Sequence, residues 1–236
     1  MKDNIESEAI SNRKIVIELR YLPVASVLDK KGTIADAVAS AKIFKPGNFW
    51  EISNNSVRFQ NNSEKAQSST TATVEYNRLS FICTKIDSID SFFNTFIKFY
   101  DVVKTILPSW TITRIGCRII GSYNASSNDF GILLTEIKKL FPSNFFIEPY
   151  NPQNILFKSD YANGMYQIGL LKENDEFFQR EFPVNTCRPK VGFMIDTDNY
   201  LLKVTDDSIE SVENIRKVFV ASLAVEKSLY ENLRLL

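Results

Sequence analysis

Residues 110–123 read WTITRIGCRIIGSY and carry the clearest strand signal in the chain, because β-branched and aromatic residues dominate them. Side chains alternate between the two faces of a strand. The alternation predicts one face that carries Trp110, Ile112, Arg114, Gly116, Arg118 and Ile120. The predicted fold is therefore built around a long strand with two arginines on one face, on either side of a glycine.

Helices flank this strand along the chain. Residues 87–106 and 129–141 repeat apolar side chains every three or four positions, which predicts two amphipathic helices. Residues 13–23, RKIVIELRYLP, alternate apolar and polar side chains, which predicts a half-buried strand that ends at Pro23. A long helix is predicted over 208–235.

The order of these elements predicts an α+β protein with largely antiparallel sheets, because strands and helices follow each other without a regular βαβ repeat. Each half of the chain fits a ferredoxin-like, split βαβ unit. We expect a flexible arm over 1–12, an N-terminal half over 13–124 and a C-terminal half over 125–236. The two halves either stand as separate lobes or form one integrated domain.

The composition excludes several classes of enzyme. The chain has 236 residues and no histidine, so neither a Ser-His-Asp triad nor a His-based zinc site can form. It has eight glycines and contains no dinucleotide or Walker motif. Cys83, Cys117 and Cys187 are far apart and odd in number, which predicts buried free thiols. We therefore expect no cofactor and favour a non-enzymatic role, with catalysis left open.

Charge and hydropathy bear on location and partners. The 28 Lys and Arg balance the 28 Asp and Glu, which argues against a general binder of nucleic acid or anionic membranes. Residues 1–118 carry 16 basic and 12 acidic residues, which gives nucleic-acid binding only weak support. No apolar run approaches the roughly 18 residues of a membrane helix, and the first residues lack the apolar core of a secretory signal. These features predict a cytoplasmic protein without a membrane segment.

Arg114 and Arg118 allow two interpretations. With Glu18 and Arg20 they could form an anion clamp, because a guanidinium binds phosphate or carboxylate through two hydrogen bonds. Alternatively they form a cross-strand ladder with carboxylates on neighbouring strands, namely Glu18, Glu51 or Glu75. Gly116 between the two arginines indicates a close approach of another group or a bulge.

Asp196 and Asp198 form a second candidate site. Carboxylates two residues apart can bind Mg²⁺ or Ca²⁺ with help from a backbone carbonyl, and two further aspartates follow ten residues on. The same stretch, DTDN at 196–199, also fits a plain turn that joins two strands within 190–204.

Three short motifs follow one another in a set order. RLSF at 78–81 precedes a Phe-rich helix, R-I-G-x-R follows at 114–118, and IDTD at 195–198 precedes the long C-terminal helix. This order resembles an uncharacterised bacterial family described as sporadically distributed proteins. The chain departs from that family at Cys117 and Ile119, where Leu and an aromatic residue are usual. The resemblance implies a fold order and no established activity.

The resemblance also implies an expectation about function. The patchy distribution of that family suits genes that move horizontally, such as phage-defence or toxin–antitoxin components. We expect a non-enzymatic binding or assembly subunit of a bacterial multi-protein system, with a protein partner or a second copy of the chain. The apolar residues Leu235 and Leu236 are expected to dock on their own domain or across a dimer. The alternative is an anion- or nucleotide-sensing protein, or a phosphoester-processing enzyme, that uses Arg114 and Arg118.

Overall fold

The structure, a computed structural model, describes most of the chain between residues 10 and 234. The described residues are 10–44, 49–61, 70–84, 86, 88–107, 110–139, 156–161, 163–172, 176–182, 191–202 and 212–234. The described strands are β1 (Ile10–Tyr21), β2 (Phe49–Ile52), β3 (Ser56–Gln60), β4 (Thr70–Glu75), β5 (Arg78–Cys83), β6 (Ile112–Asn124), β7 (Leu156–Tyr161), β8 (Gly164–Lys172) and β9 (Val191–Leu202). The described helices are α1 (Ser26–Asp29), α2 (Lys31–Ser40), α3 (Ile89–Ile106), α4 (Phe130–Lys138), α5 (Glu176–Glu181) and α6 (Val212–Leu233).

These elements confirm the predicted α+β class. The strands form a large antiparallel sheet in the order β2-β3-β4-β5-β1-β6-β9-β8-β7. Strand β1 begins at Ile10, so the end of the expected arm belongs to this strand, and residues 1–9 lie outside the described residues. Helix α3 begins after Ser88, whose side-chain oxygen accepts a hydrogen bond of 3.3 Å from the backbone N–H of Ser91.

The predicted turn at 196–199 is wrong, because Val191–Leu202 form one continuous strand. In the sheet this strand lies between β6 and β8, so both of its edges face other strands. Asp196, Thr197 and Asn199 are buried in it. Asp and Asn favour turns through local hydrogen bonds, and here the surrounding sheet overrides that local preference.

The chain divides into two compact units, which are described separately. In the described chain, the first unit comprises parts of 14–118 and 199–221, and the second comprises 10–13, parts of 119–198 and 222–234. Residues of β1, β6, β9 and α6 contribute to both units. The ferredoxin-like halves of the sequence prediction stay a prediction.

The core of the first unit lies on one side of its strands. Ile15, Ile17 and Leu19 of β1 are fully buried on this side. The ring of Phe81 on β5 lies 5.6 to 5.8 Å from three phenylalanine rings of α3, those of Phe92, Phe96 and Phe99. Phe219 on α6 stacks on Phe93 at 4.9 Å. Each buried phenylalanine contributes about 1.5–3 kcal/mol through its removal from water, so α3 and α6 are held on this side.

In the second unit, strand β8 buries side chains on both of its faces. Leu170 and Leu171 are neighbours on β8, so they point to opposite faces. Leu170 packs with apolar residues of α4, namely Leu133, Leu134 and Ile137. Leu171 packs on the other face with Met194 and with Phe182, which follows α5. At Leu170 and Leu171, β8 is therefore covered on both faces by other parts of the chain, whereas β7 is largely exposed.

Three further expectations concern the cysteines, the membrane and the chain end. Cys83 and Cys117 are buried free thiols, as predicted, and Cys187 lies outside the described residues. Within the described chain, no helix is both long enough and apolar enough to span a membrane. Leu235 and Leu236 also lie outside the described residues.

Candidate binding face

The first unit has a polar side opposite its helices, which we call the open face. Strict alternation along β1 produces it, because Ile15, Ile17 and Leu19 point to the core while Lys14, Val16 and Glu18 point away. The open face consists of Lys14, Val16, Glu18, Arg20, Glu51, Ser56, Arg58, Thr71, Thr73, Glu75, Arg78, Ser80, Ile82, Arg114, Gly116 and Arg118.

The strand registers line up these polar side chains in rows. Glu51 lies opposite Arg58, Arg58 opposite Thr73, Thr73 opposite Ser80, and Ser80 opposite Glu18. One row of polar side chains thus crosses five strands. Since directly opposed residues on one face lie about 5 Å apart, the row forms a continuous polar surface.

A groove of about 510 Å³ lies in this face. Carboxylates, guanidinium groups and hydroxyls supply most of its lining. The lining residues are Val16, Glu18, Glu51, Ser53, Ser56, Arg58, Thr71, Thr73, Glu75, Arg78, Ser80 and Ile82. A groove of this size and polarity can hold a polar segment of a partner or a polar small molecule.

Glu18 stands at the centre of a charged cluster that lines part of the groove. Its carboxylate lies 2.7 Å from Arg20, 3.4 Å from Arg114 and 3.6 Å from Arg78. Arg78 also donates a hydrogen bond of 2.6 Å to Glu75. Glu18 therefore keeps three guanidinium groups together on one face, although like charges this close repel each other.

The carboxylates of Glu75 and Glu18 stabilise the positive charge of Arg78. Its hydrogen bond to Glu75 raises the pKa of the guanidinium, burial acts in the opposite direction, and the charges of Glu75 and Glu18 add to the rise. Arg78 lies directly opposite Arg20 across β1 and β5. Their side chains are 42% and 57% exposed, so both arginines remain accessible to a ligand.

Arg114 belongs to the cross-strand ladder. It contacts Glu18, and its guanidinium lies 5.0 Å from the ring centre of Tyr200, a cation–π distance. The guanidinium lies directly over Gly116, where an added Cβ would be 2.5 Å from Nη1. The ladder interpretation is thus confirmed for Arg114, and the close approach expected at Gly116 is the approach of this side chain.

The predicted shared face of the long strand is wrong at its start. The centre of the Trp110 ring lies 4.8 Å from that of Tyr21 and 5.7 Å from that of Tyr100 on α3, which places Trp110 on the core side. Arg114 contacts Glu18 on the open side. The half-buried residues Thr113 and Arg114 follow each other between buried neighbours, so the alternation is interrupted there.

Arg118 lies on the same side of the strand as Arg114, as the alternation of side chains predicts. Ile115, Cys117 and Ile119 are buried and Arg118 is exposed. The two arginines are four positions apart on the strand, so their Cα atoms lie about 13 Å apart. The anion clamp of Arg114 and Arg118 with Glu18 and Arg20 stays a prediction.

Asp196 and Asp198, the predicted metal ligands, lie on β9 in the second unit. Asp196 is almost fully buried. In the part of the chain that the structure describes, no three His, Cys, Asp or Glu side chains converge as a metal site requires. The aspartates at 206 and 207 lie outside that part, so the metal site also stays a prediction.

The second unit holds a buried charged group that the sequence reading missed. Arg13 donates a hydrogen bond of 2.9 Å from Nε to Glu226 Oε1 and a second one from Nη2 to Oε2. The hydroxyl of Tyr123 donates to the same carboxylate. Glu226 is completely buried on α6, and Arg13 is 5% exposed. A glutamate on the buried stripe of a helix was the available signal, because that stripe otherwise carries Ile215, Phe219 and Tyr230.

Comparison with known proteins adds no relative. Neither a protein-family model nor a curated protein sequence matches the chain. The resemblance to sporadically distributed proteins therefore stays a prediction from short motifs, and the geometry of the open face carries the functional argument.

Proposed function

We propose that the protein is a non-enzymatic binding or assembly subunit that receives a partner on the open face. The observation that carries this proposal is the groove of about 510 Å³ in a polar sheet surface. In the second unit the side chains of β8 are packed on both faces, whereas the open face of the first unit has a charged, accessible surface. An exposed surface with organised charge is typical of an interaction site.

The charged groups of this face support binding more than catalysis. Glu18 forms ion pairs with Arg78 and Arg114, and Glu75 forms an ion pair with Arg78. Such mutual pairing keeps both signs of charge in place and gives a partner a defined pattern to match.

The wider setting of this proposal comes from the sequence. We propose that the subunit acts in the cytoplasm of a bacterium, in a multi-protein system such as phage defence or a toxin–antitoxin pair, with a protein partner or a second copy of the chain. The motifs at 78–81, 114–118 and 195–198 support this setting. The ferredoxin-like organisation of the two halves is part of the same proposal.

Blocking the groove tests the binding role. Thr73 lies at the middle of the polar row, between Arg58 and Ser80. Thr73→Arg should fill the groove while keeping a polar side chain on the strand. Thr105→Arg is the matched control, because Thr105 is exposed on α3 on the opposite side of the same unit.

Both variants and the wild type are immobilised and used to capture proteins from cells of the native host, with quantitative mass spectrometry. We expect at least one partner, or the chain itself, to be captured by the wild type and by Thr105→Arg and lost with Thr73→Arg. Light scattering then gives the stoichiometry of the complex. An unchanged capture profile for Thr73→Arg, with a folded variant by circular dichroism, would falsify the binding role of the open face.

A second candidate function is an anion- or nucleotide-sensing protein, or a phosphoester-processing enzyme. The exposed Arg118 and the accessible Arg20 and Arg78 favour it. Under this alternative ATP binds with micromolar affinity in calorimetry, and Arg118→Ala abolishes the binding without unfolding the protein.

A further inference from the structure

The open face is basic, although the whole chain is neutral. Its basic side chains are Lys14, Arg20, Arg58, Arg78, Arg114 and Arg118, and its acidic side chains are Glu18, Glu51 and Glu75. The described part of this face therefore carries a net charge of +3, while the chain as a whole has 28 basic and 28 acidic residues. Charge complementarity selects an anionic partner for it.

The arginines of this face differ in how far they are already engaged. Arg114 is 17% exposed and is held by Glu18 and the ring of Tyr200. Arg20 and Arg78 are held by carboxylates on one side and exposed on the other. Arg58 is exposed, and none of the described residues forms an ion pair with it. Arg20, Arg58 and Arg78 are thus the groups that can form new ion pairs.

The surroundings favour carboxylates over the phosphates of a nucleic acid. Glu18, Glu51 and Glu75 stand among the arginines and repel a backbone that has a negative charge at every step. Binding of single strands also uses aromatic rings on which bases stack. The ring of Tyr200 is covered by Arg114 instead. In a protein segment, by contrast, the acidic side chains can be spaced so that none of them lies next to the three glutamates.

We propose that the open face binds an extended protein segment rich in Asp and Glu, whose carboxylates pair with Arg58 and with Arg20 and Arg78. This inference rests on the proposed binding function and names the class of partner. Arg58 is two strands away from Arg78 and two residues along the strand direction, which puts their Cα atoms about 12 Å apart. Side chains four residues apart on an extended segment are separated by about 13 Å. Two acidic residues with that spacing match the two positions.

Fluorescence anisotropy with defined probes tests this proposal on the full chain. The probes are a labelled 12-residue peptide of alternating Glu and Ser, its Lys–Ser counterpart, and a 12-nucleotide oligo-dT. We expect the Glu–Ser peptide to bind, with affinity that falls as salt rises, and the other two to bind at least tenfold more weakly. Free ATP and inorganic phosphate are added as competitors at the same ionic strength, and they should displace the peptide only at millimolar concentration.

Variants assign the binding to the named arginines. Arg58→Ala should weaken peptide binding roughly threefold, the magnitude of one exposed ion pair, and Arg58→Glu should weaken it further. Arg234→Ala is the matched control, because Arg234 is exposed beyond the end of α6 in the second unit, and it should leave the affinity unchanged.

Besides a failure of the Glu–Ser peptide to bind, four results overturn the acidic partner. These are tighter binding of oligo-dT than of the Glu–Ser peptide, binding of the Lys–Ser peptide, displacement by micromolar ATP or phosphate, and unchanged affinity in Arg58→Glu. None of these results changes what is expected from the capture experiment with Thr73→Arg, which tests the binding role itself. If that capture is lost while the Glu–Ser peptide does not bind, the binding role stands and only the acidic partner is wrong.

Discussion

Gly116 and Arg114 act together, because the missing side chain of the glycine makes space for the arginine. The guanidinium lies flat over Gly116 and reaches both the carboxylate of Glu18 and the ring of Tyr200. Any side chain at position 116 would occupy the space of the guanidinium. The pair therefore fixes where one positive charge of the open face stands.

A double-mutant cycle measures this coupling. Gly116→Ala should lower the free energy of unfolding by about 0.5–1 kcal/mol more in the wild type than in an Arg114→Ala background, because only the wild type has a cation–π contact to lose. Urea denaturation of the four proteins gives the difference. Equal effects of Gly116→Ala in the two backgrounds would show that the glycine serves another purpose.

Gly32→Ala is the control for the alanine substitution itself. Nothing lies within 4 Å of an added Cβ at Gly32 on α2. The substitution should therefore stabilise the protein by up to about 1 kcal/mol through helix propensity.

At the scale of single residues, one of the two interpretations of Arg114, the ladder, and one of the two of Gly116, the close approach, agree with the structure. The sequence prediction misplaced Trp110, because the alternation of buried and half-buried residues is interrupted at Thr113 and Arg114. A local interruption of alternation depends on the neighbouring strand. The backbone carbonyl of Arg20, for example, accepts a hydrogen bond from the Thr113 hydroxyl, and the strand sequence alone does not contain that contact.

At the scale of elements, Tyr21 fastens the end of β1 to the turn between β4 and β5. Its hydroxyl donates to the backbone carbonyl of Glu75 and approaches that of Arg78 at 3.2 Å. Burial, and next to it the charge of Glu75, raise the pKa of Tyr21 above its ordinary value. The folded protein therefore holds this proton more tightly than the unfolded chain.

This difference makes stability fall at high pH. Below pH about 10 the phenol is protonated in both states and its contribution is complete. Above that pH the unfolded chain loses the proton first, and the free energy of unfolding falls by up to about 1.4 kcal/mol per pH unit. Urea denaturation between pH 9 and 11 should show a smaller fall for Tyr21→Phe than for the wild type.

Tyr76→Phe is the control for this pH series, because Tyr76 is 38% exposed in the adjoining turn, and it should keep the wild-type fall. Tyr21→Phe should also cost about 1 kcal/mol at neutral pH through its lost hydrogen bond. If Tyr21→Phe keeps the full alkaline fall, another group is responsible for it.

Helix α3 and strand β1 of the first unit were predictable from local pattern. The apolar spacing of α3, its cap at Ser88 and the alternation of β1 all agree with the structure. The strand β9 was not predictable in this way, because its polar centre at 196–199 is typical of a turn. Its course depends on the strands on either side, which come from distant parts of the chain.

At the scale of the whole molecule, the bond between Arg13 and Glu226 joins residues 213 positions apart. Both charges are buried within the second unit. Removing one partner of a buried pair leaves the other without compensation, which typically costs about 3–5 kcal/mol. Glu226→Gln should therefore lower the free energy of unfolding by that amount in urea denaturation.

Two further variants make this measurement specific. Glu231→Gln, an exposed position on the same helix, should change the free energy of unfolding by less than about 0.5 kcal/mol. Tyr123→Phe removes one of the hydrogen bonds to Glu226 and should cost about 1 kcal/mol. A Glu226→Gln variant as stable as Glu231→Gln would contradict a structural role for the buried pair.

The α+β class could be predicted from the sequence, because the periodicity that indicates each helix or strand lies within a short segment of the chain. The open face followed in part, because Glu18, Arg20 and Arg114 were named as one group. The groove and the group around Glu226 did not follow, because strand order and register bring their residues together from remote segments.

The bond between Arg13 and Glu226 also limits when the second unit can fold during synthesis on the ribosome. At roughly 5–20 residues per second, Glu226 is added about ten to forty seconds after Arg13. Throughout that interval the carboxylate of Glu226 is not available to the guanidinium, so the second unit cannot complete its interior. The nascent chain must therefore keep that arginine hydrated until translation has passed position 226.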